Sequence, residues 1–273
     1  MTQPTITLSS GTTLPQLGLG VWQVPPAEAE QNVRTALDAG YLAVDTAQMY
    51  ENESGVGRAV AGRDIFVTTK LNNNRHGREA ALTGAETSAK ALGVDVLDLF
   101  LIHWPLPEHD RYVETWQALV DLREQGRVRS IGVSNFQQAH LQRIIDETGV
   151  APEVNQIELH PYFTQAPLRA FHAEHGIATE AWSPLGQGGP LLSDPVVVAL
   201  AGKHGRTPAQ IVIAWHLAIG NIVIPKSVTP ARIAENIDVF DIRLAEDEVA
   251  AISALDQDGR IGPNPDEFNW IPE

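Results

Sequence analysis

Three apolar runs of the chain each lead into an ionisable side chain. Residues 41–44 stop at Asp45, residues 65–69 lead into Lys70, and residues 96–102 lead into His103, while Tyr50 follows shortly after Asp45. Tyrosine is a weak acid, with an unperturbed pKa of about 10. A neighbouring ammonium stabilises its phenolate and lowers that value, and a carboxylate paired with the ammonium keeps it charged in a partly dry site. A neutral imidazole can hydrogen-bond a substrate oxygen and orient it. Apart from Lys70 the set holds no good nucleophile, and it lacks metal-ligand character. The chemistry it suits is protonation of an oxygen on which negative charge is developing, as in reduction of a carbonyl. Taken singly, each group has an ordinary structural explanation. Only joint placement argues for catalysis.

Joint placement requires neighbouring strands that run the same way, and the hydrophobic pattern supplies them. Ile6 and Leu8 alternate with polar residues before a Ser10-Gly11 turn and Leu14-Pro15, which predicts a small hairpin. Strands are then predicted at 17–20, up to Asp45, up to Lys70, up to His103, and at 128–133, 154–157, 178–182 and 222–224. Helical patterns fall between them: one opening at 25–28, then 53–61, 77–92, one with Val113, Trp116, Leu119 and Val120 on a face, 137–147, 167–175, 196–204, 208–218 and 230 to about 239. A further helix at 246–254 and an aromatic tail end the chain. Parallel strands buried on both faces read as continuous apolar runs, as these do. Eight alternations without a break in composition predict one α/β domain over residues 1–273. Its expected form is a (β/α)8 TIM barrel with an N-terminal β-hairpin and an extra C-terminal helix and tail. The C-terminal ends of barrel strands converge on one face. Asp45, Lys70 and His103 would reach it from adjacent strands, and Tyr50 from the loop after the first of them.

Composition narrows the partners. Acidic residues outnumber basic ones 34 to 19, for a net charge of −15, which argues against binding nucleic acid or an anionic membrane. There are no cysteines, so disulfides and thiolate metal sites are excluded. The start of the chain has neither the basic nor the apolar region of a signal peptide, and no apolar stretch is long enough to span a bilayer. A cytoplasmic location is expected.

A hydride donor is implied by the far end of the chain. After the eighth strand, Thr229-Pro230 reads as an N-cap followed by proline at the first helical position. Free N–H groups at that helix start, flanked by Lys226, Ser227 and Arg232, suit a phosphate, and barrels often place one after strands 7 and 8. The glycines at 186, 188 and 189 would let backbone approach a pyrophosphate, a weak signal alone. No Gly-x-Gly-x-x-Gly fingerprint or P-loop is present, so a nucleotide would bind outside a Rossmann domain.

Several stretches carry a resemblance: Gly18-Leu19-Gly20-Val21-Trp22, Asp45-Thr46-Ala47 with Tyr50-Glu51-Asn52-Glu53, Leu97-Asp98-Leu99 with His103-Trp104-Pro105, Gly132-Val133-Ser134-Asn135-Phe136, Asn155-Gln156 with His160-Pro161-Tyr162, and residues 224–236. Over nearly its whole length the chain resembles the aldo-keto reductases, above all their short bacterial branch that includes 2,5-diketo-D-gluconate reductases. The resemblance implies a catalytic tetrad of Asp45, Tyr50, Lys70 and His103, NADPH/NADP+ as cofactor, a small carbonyl substrate and a monomer. It implies that Ser134, Asn135 and Gln156 hold the carboxamide, that Trp182 stacks on the nicotinamide, and that Ser183, Leu185 and Gly186 lie along the pyrophosphate. Lys226, Ser227 and Arg232 would clasp the 2′-phosphate, with Glu235 and Asn236 near the adenine. A bidentate guanidinium makes Arg232 the natural discriminator of NADP from NAD.

One departure bears on the substrate. Family members commonly carry tryptophan after the lysine-leucine pair, whereas Lys70-Leu71 is followed here by Asn72-Asn73-Asn74. Loss of that aromatic is expected to widen or wet the pocket, leaving Trp22, Met49, Trp104, Phe136 and Trp270 as its lining. His172 and His175 read as solvated helix residues. Two other readings remain: a Schiff-base lyase with Lys70 as nucleophile, and a cofactor-binding structural or regulatory protein on the same fold.

Overall fold

A computed structural model of the chain describes residues 3–272. Strands β1 (Thr5–Thr7) and β2 (Thr13–Pro15) pair antiparallel as the expected hairpin. Eight parallel strands follow: β3 (Leu19–Gly20), β4 (Ala43–Asp45), β5 (Phe66–Leu71), β6 (Leu97–Ile102), β7 (Val128–Ser134), β8 (Val154–Glu158), β9 (Ala178–Trp182) and β10 (Ile222–Val223). Each pairs with the next in chain order. Parallel bridges from Leu17 to Val223 and from Gly20 to Lys226 join first to last and close the ring. A Cβ at Gly20 would come within 2.9 Å of the Ile224 carbonyl oxygen, so that seam closes tightly only around glycine. This is the (β/α)8 barrel the pattern predicts.

The two-residue period of the strands sorts side chains between two compartments. Outward positions such as Val44, Phe100, Ile102, Val133, Ile157 and Val223 are buried in the belt beneath the helices. Inward positions at the lower end (Leu99, Leu101, Val154 and Ile222) pack against Leu8 and Leu14 of the hairpin. The hairpin thus stoppers the barrel, and each such side chain contributes about 1.5–3 kcal/mol by leaving water. Above this plug the inward residues turn polar yet stay buried, with Asp45, Thr68, Lys70, Ser134, Gln156 and Glu180 all below 3% exposed apart from Asp45 at 3%. Register sets Ser134 beside Gln156, and Gln156 beside Glu180.

Helix limits follow the expected caps. The helix Pro208–Ala218 begins with a Thr207–Gln210 capping box, and Gly93, Gly149 and Gly205 end their helices in left-handed conformation. The predicted helices at 77–92 and 137–147 are Arg78–Leu92 and Gln138–Thr148. A 3-10 turn, Gln48–Tyr50, was not evident from the pattern, and it carries Tyr50. The extra helix is Glu246–Ser253, and the residues after it return across the mouth of the barrel. Among the described residues no helix is long and apolar enough to cross a membrane.

Candidate active site

Asp45 ends β4, Lys70 lies inside β5, His103 follows β6, and the 3-10 turn brings Tyr50 over them. The Lys70 Nζ lies 2.8 and 2.7 Å from the two Asp45 oxygens, 3.0 Å from the Thr46 carbonyl oxygen and 3.5 Å from the Tyr50 hydroxyl. An ammonium has three donors, and here it has three partner groups. Because Tyr50 accepts from Lys70, its own proton is left to point elsewhere. The His103 ring stands edge-on to Tyr50, centroids 5.7 Å apart. Asp45, Tyr50 and His103 all face a cavity of about 510 Å³.

The electrostatics correct one expectation. Burial pushes the Tyr50 phenol above its ordinary value, and the pull of Lys70 offsets this only in part. The group is therefore a protonated phenol at neutral pH, not one poised to ionise. Burial also works against the Lys70 ammonium, but Asp45 and Tyr50 outweigh it and hold Lys70 above its usual range. Asp45 is pushed up by burial against the pull of Lys70 and Gln156. Its 2.7 Å contact with Lys70 marks an ion pair. Burial, then Lys70, hold His103 well below its usual value, so the imidazole is neutral.

Beside these groups lies an amide network. Asn135 donates to the His103 carbonyl oxygen at 3.0 Å and to Ser134 Oγ at 3.1 Å, and the Trp182 indole donates to Asn135 Oδ1 at 2.8 Å. Asn135 (φ 64°) and Ser183 (φ 49°) are left-handed, a costly backbone state held by surrounding bonds. The Gln156 Nε2 donates to Asp45 Oδ1 at 2.7 Å and to Glu180 Oε2 at 2.9 Å, while Ser134 Oγ donates to the Gln156 carbonyl oxygen. Ser134, Asn135, Gln156, Trp182 and Ser183 all line the cavity.

A second cavity, of about 560 Å³, adjoins the first through Lys226 and is lined also by Leu185, Ser227, Arg232, Glu235 and Asn236. Gly186 is buried against Leu191 at the turn between the two. Thr229 does not cap its helix through its side chain; Ser227 Oγ instead accepts from the Thr229 N–H at 3.1 Å.

The expected substrate lining is only partly brought together. Trp22, Met49 and Trp104 face the cavity. Phe136 is fully buried and packs edge-on to Tyr112 and His140, because its position beyond β7 points it into the helical belt. Trp270 is 54% exposed and lies outside the lining, to which the tail contributes Gly262 and Pro263. Phe268 instead lies on Trp104, centroids 4.3 Å apart. Asn72 is not part of the lining either; its backbone N–H donates to Gln48. Asn73 donates to the Trp270 carbonyl oxygen at 2.9 Å. His172 is buried, not solvated, between Asn155 and Thr179, and His175 is half-buried on the Phe171 ring.

Two buried acids beside the cavity escaped the sequence reading. Glu158 accepts from the N–H groups of Ile261 (2.7 Å) and Gly262 (2.8 Å), which ties the tail to β8. Glu180 sits under Gln156. Their signal was available: each is a carboxylate within a predicted barrel strand or at its end, at the inward parity of Gln156 or Trp182.

Residues 11–257 match the model of the aldo/keto reductase family. An aldo-keto reductase of Mycolicibacterium smegmatis is 54% identical over 98% of both chains. The methylglyoxal reductase DkgA of Escherichia coli (strain K12) is 53% identical over 98% of this chain and 99% of its own. The crystal structure of an alanine mutant of Gox0644 in complex with NADPH superposes with a TM-score of 0.97 at 52% identity, covering 99% of this chain and 100% of that one.

Proposed function

This chain belongs to the aldo/keto reductase family, and on that premise we propose that it is an NADPH-dependent reductase of aldehyde and ketone carbonyls in which Tyr50 is the proton donor. The observation that carries the reading is the Tyr50 hydroxyl, whose oxygen is engaged by Lys70 while its proton is free at the cavity. Two adjoining cavities of about 510 and 560 Å³ suit an extended dinucleotide. Among the described residues Lys226 and Arg232 make no ion pair, in a chain where acids outnumber bases, and so keep their charge for a phosphate. Gln156 has an amide oxygen to offer a carboxamide, Trp182 an indole face for a flat ring, and Glu235 and Asn236 polar groups for a base.

Bound NADPH supplies the hydride that goes to the carbonyl carbon. The chain's own residues manage the oxygen. Neutral His103 orients it and Tyr50 gives it a proton as its charge grows. The phenolate left on Tyr50 then faces the Lys70 ammonium, which Asp45 keeps charged. Lys70 has no exposure and its donors are engaged, which disfavours a Schiff base at that nitrogen. The reading takes residues 1–273 as one (β/α)8 domain, because β3 and β10 close the same ring. It includes a monomer working in the cytoplasm, as one chain supplies the lining of both cavities.

The test is NADPH oxidation by the purified chain with dicarbonyls, sugar-derived ketones and aromatic aldehydes. Tyr50→Phe is expected to lower kcat by about 100- to 10,000-fold and to leave NADPH affinity nearly unchanged. Full turnover in that variant excludes the phenol as acid. Wild-type protein that binds NADPH yet reduces no carbonyl favours a binding or regulatory role.

A further inference from the structure

Resting on the cofactor reading above, we propose that Glu180 is a positioning residue for the cofactor's carboxamide, fixing through Gln156 the direction in which that residue's amide faces. A primary amide has two N–H donors on one side and an oxygen on the other. In Gln156 both donors are claimed by carboxyl oxygens, one of Asp45 at 2.7 Å and one of Glu180 at 2.9 Å. A flipped amide would set its oxygen against the Asp45 carboxylate, which has no proton to give it. The pair therefore locks the Gln156 Oε1 towards the cavity, as the acceptor that a carboxamide NH2 requires. Asp45 alone satisfies one donor and leaves the other without a partner in a buried place.

Water cannot stand in for Glu180. The space beside it, bounded by Leu14, Val44, Thr68 and Ile222, has no room for a water molecule. The charged and titratable groups acting on its carboxyl are Asp45 from β4 and Lys70 from β5; β8 contributes Gln156 and β10 only apolar side chains. Burial and then Asp45 push Glu180 up to about 8. At neutral pH it accepts from Gln156 without setting a second charge beside Asp45, so Lys70 answers to one carboxylate.

The experiment titrates two ligands by calorimetry into wild type, Glu180→Leu and Glu180→Gln: NADP+ and its 3-acetylpyridine analogue, whose methyl ketone lacks the carboxamide N–H. Glu180→Leu is expected to weaken NADP+ about tenfold and the analogue by less than about twofold, since the analogue has no donor for Gln156 to meet. Glu180→Gln keeps an acceptor for Gln156 and is expected to bind both ligands as wild type does. Equal weakening of both ligands by Glu180→Leu makes Glu180 a general support and overturns the proposal. So does equal weakening by Glu180→Gln, which decides the matter if the leucine variant does not fold. Wild-type protein that fails to bind NADP+ overturns the cofactor reading itself, a result distinct from either.

Discussion

Lys70 is where stability and chemistry are joined. Its side chain is fully buried, and its ammonium answers one carboxylate, one backbone oxygen and one phenol. Lys70→Met takes away the cation paired with Asp45 and leaves a buried charge unpaired, which costs about 3–5 kcal/mol. It also leaves the Tyr50 phenol, already raised by burial, without the charge that would receive its phenolate. Denaturant unfolding is expected to show that loss, and kcat to fall by about 100-fold or more. Adding Asp45→Asn removes the stranded carboxylate while Gln156 keeps an acceptor, so stability should largely return and turnover should not. Recovery of both together would mean that Lys70 serves packing alone. At this scale the sequence was informative where a residue type was rare for its setting: an Asp, a Lys and a His closing apolar runs. The direction of the Tyr50 shift was not legible, because it depends on how far burial outweighs one ammonium, and burial is a property of the closed fold.

At the scale of elements, the barrel strands and helices were readable because period and caps are local, whereas the tail was not. Its seat is made by contacts far apart in the chain. Glu158 holds Ile261 and Gly262, Asn73 holds Trp270, and the Glu108 N–H donates to the Asn269 side chain at 2.9 Å. An aromatic tail therefore suggested Trp270 as lining, while the segment that reaches the cavity is Gly262-Pro263, clamped against Trp182. A Cβ at Gly262 would lie 2.5 Å from the Trp182 ring and 3.1 Å from Glu158 Oε2. Gly262→Ala must then move the tail or the indole. The carbonyl KM is expected to rise about tenfold, near the upper end of what one displaced apolar contact yields. Thermal stability should change little, since the tail itself packs outside the hydrophobic core, and limited proteolysis should cut the tail sooner. Unchanged KM and unchanged cleavage would show that the tail does not shape the site.

For the molecule as a whole, 34 acids against 19 bases describe its surface, but the stability of the barrel answers to the few acids inside it. Carboxylates paired with bases, such as Glu30 and Glu248, are held down by those partners, so their contribution is present above the ordinary carboxylate range and lost as pH falls. Glu180 has the opposite sign. Its ordinary value is 4.5 and the folded value about 8, so between those limits the folded chain keeps a proton that the unfolded chain has released. Its contribution is complete below about 4.5 and is lost as pH rises towards 8, with a slope of at most about 1.4 kcal/mol per pH unit for a single proton. Glu180→Gln cannot ionise and lacks this slope, while every surface group is common to both proteins and cancels in the difference. Melting temperatures measured from pH 5 to pH 9 are therefore expected to diverge, the glutamine variant gaining on wild type up to about pH 8 and running parallel beyond it. A constant gap across the range would mean that Glu180 ionises in the folded barrel as it does in water, which a carboxyl with no water beside it and Asp45 as its neighbour should not do.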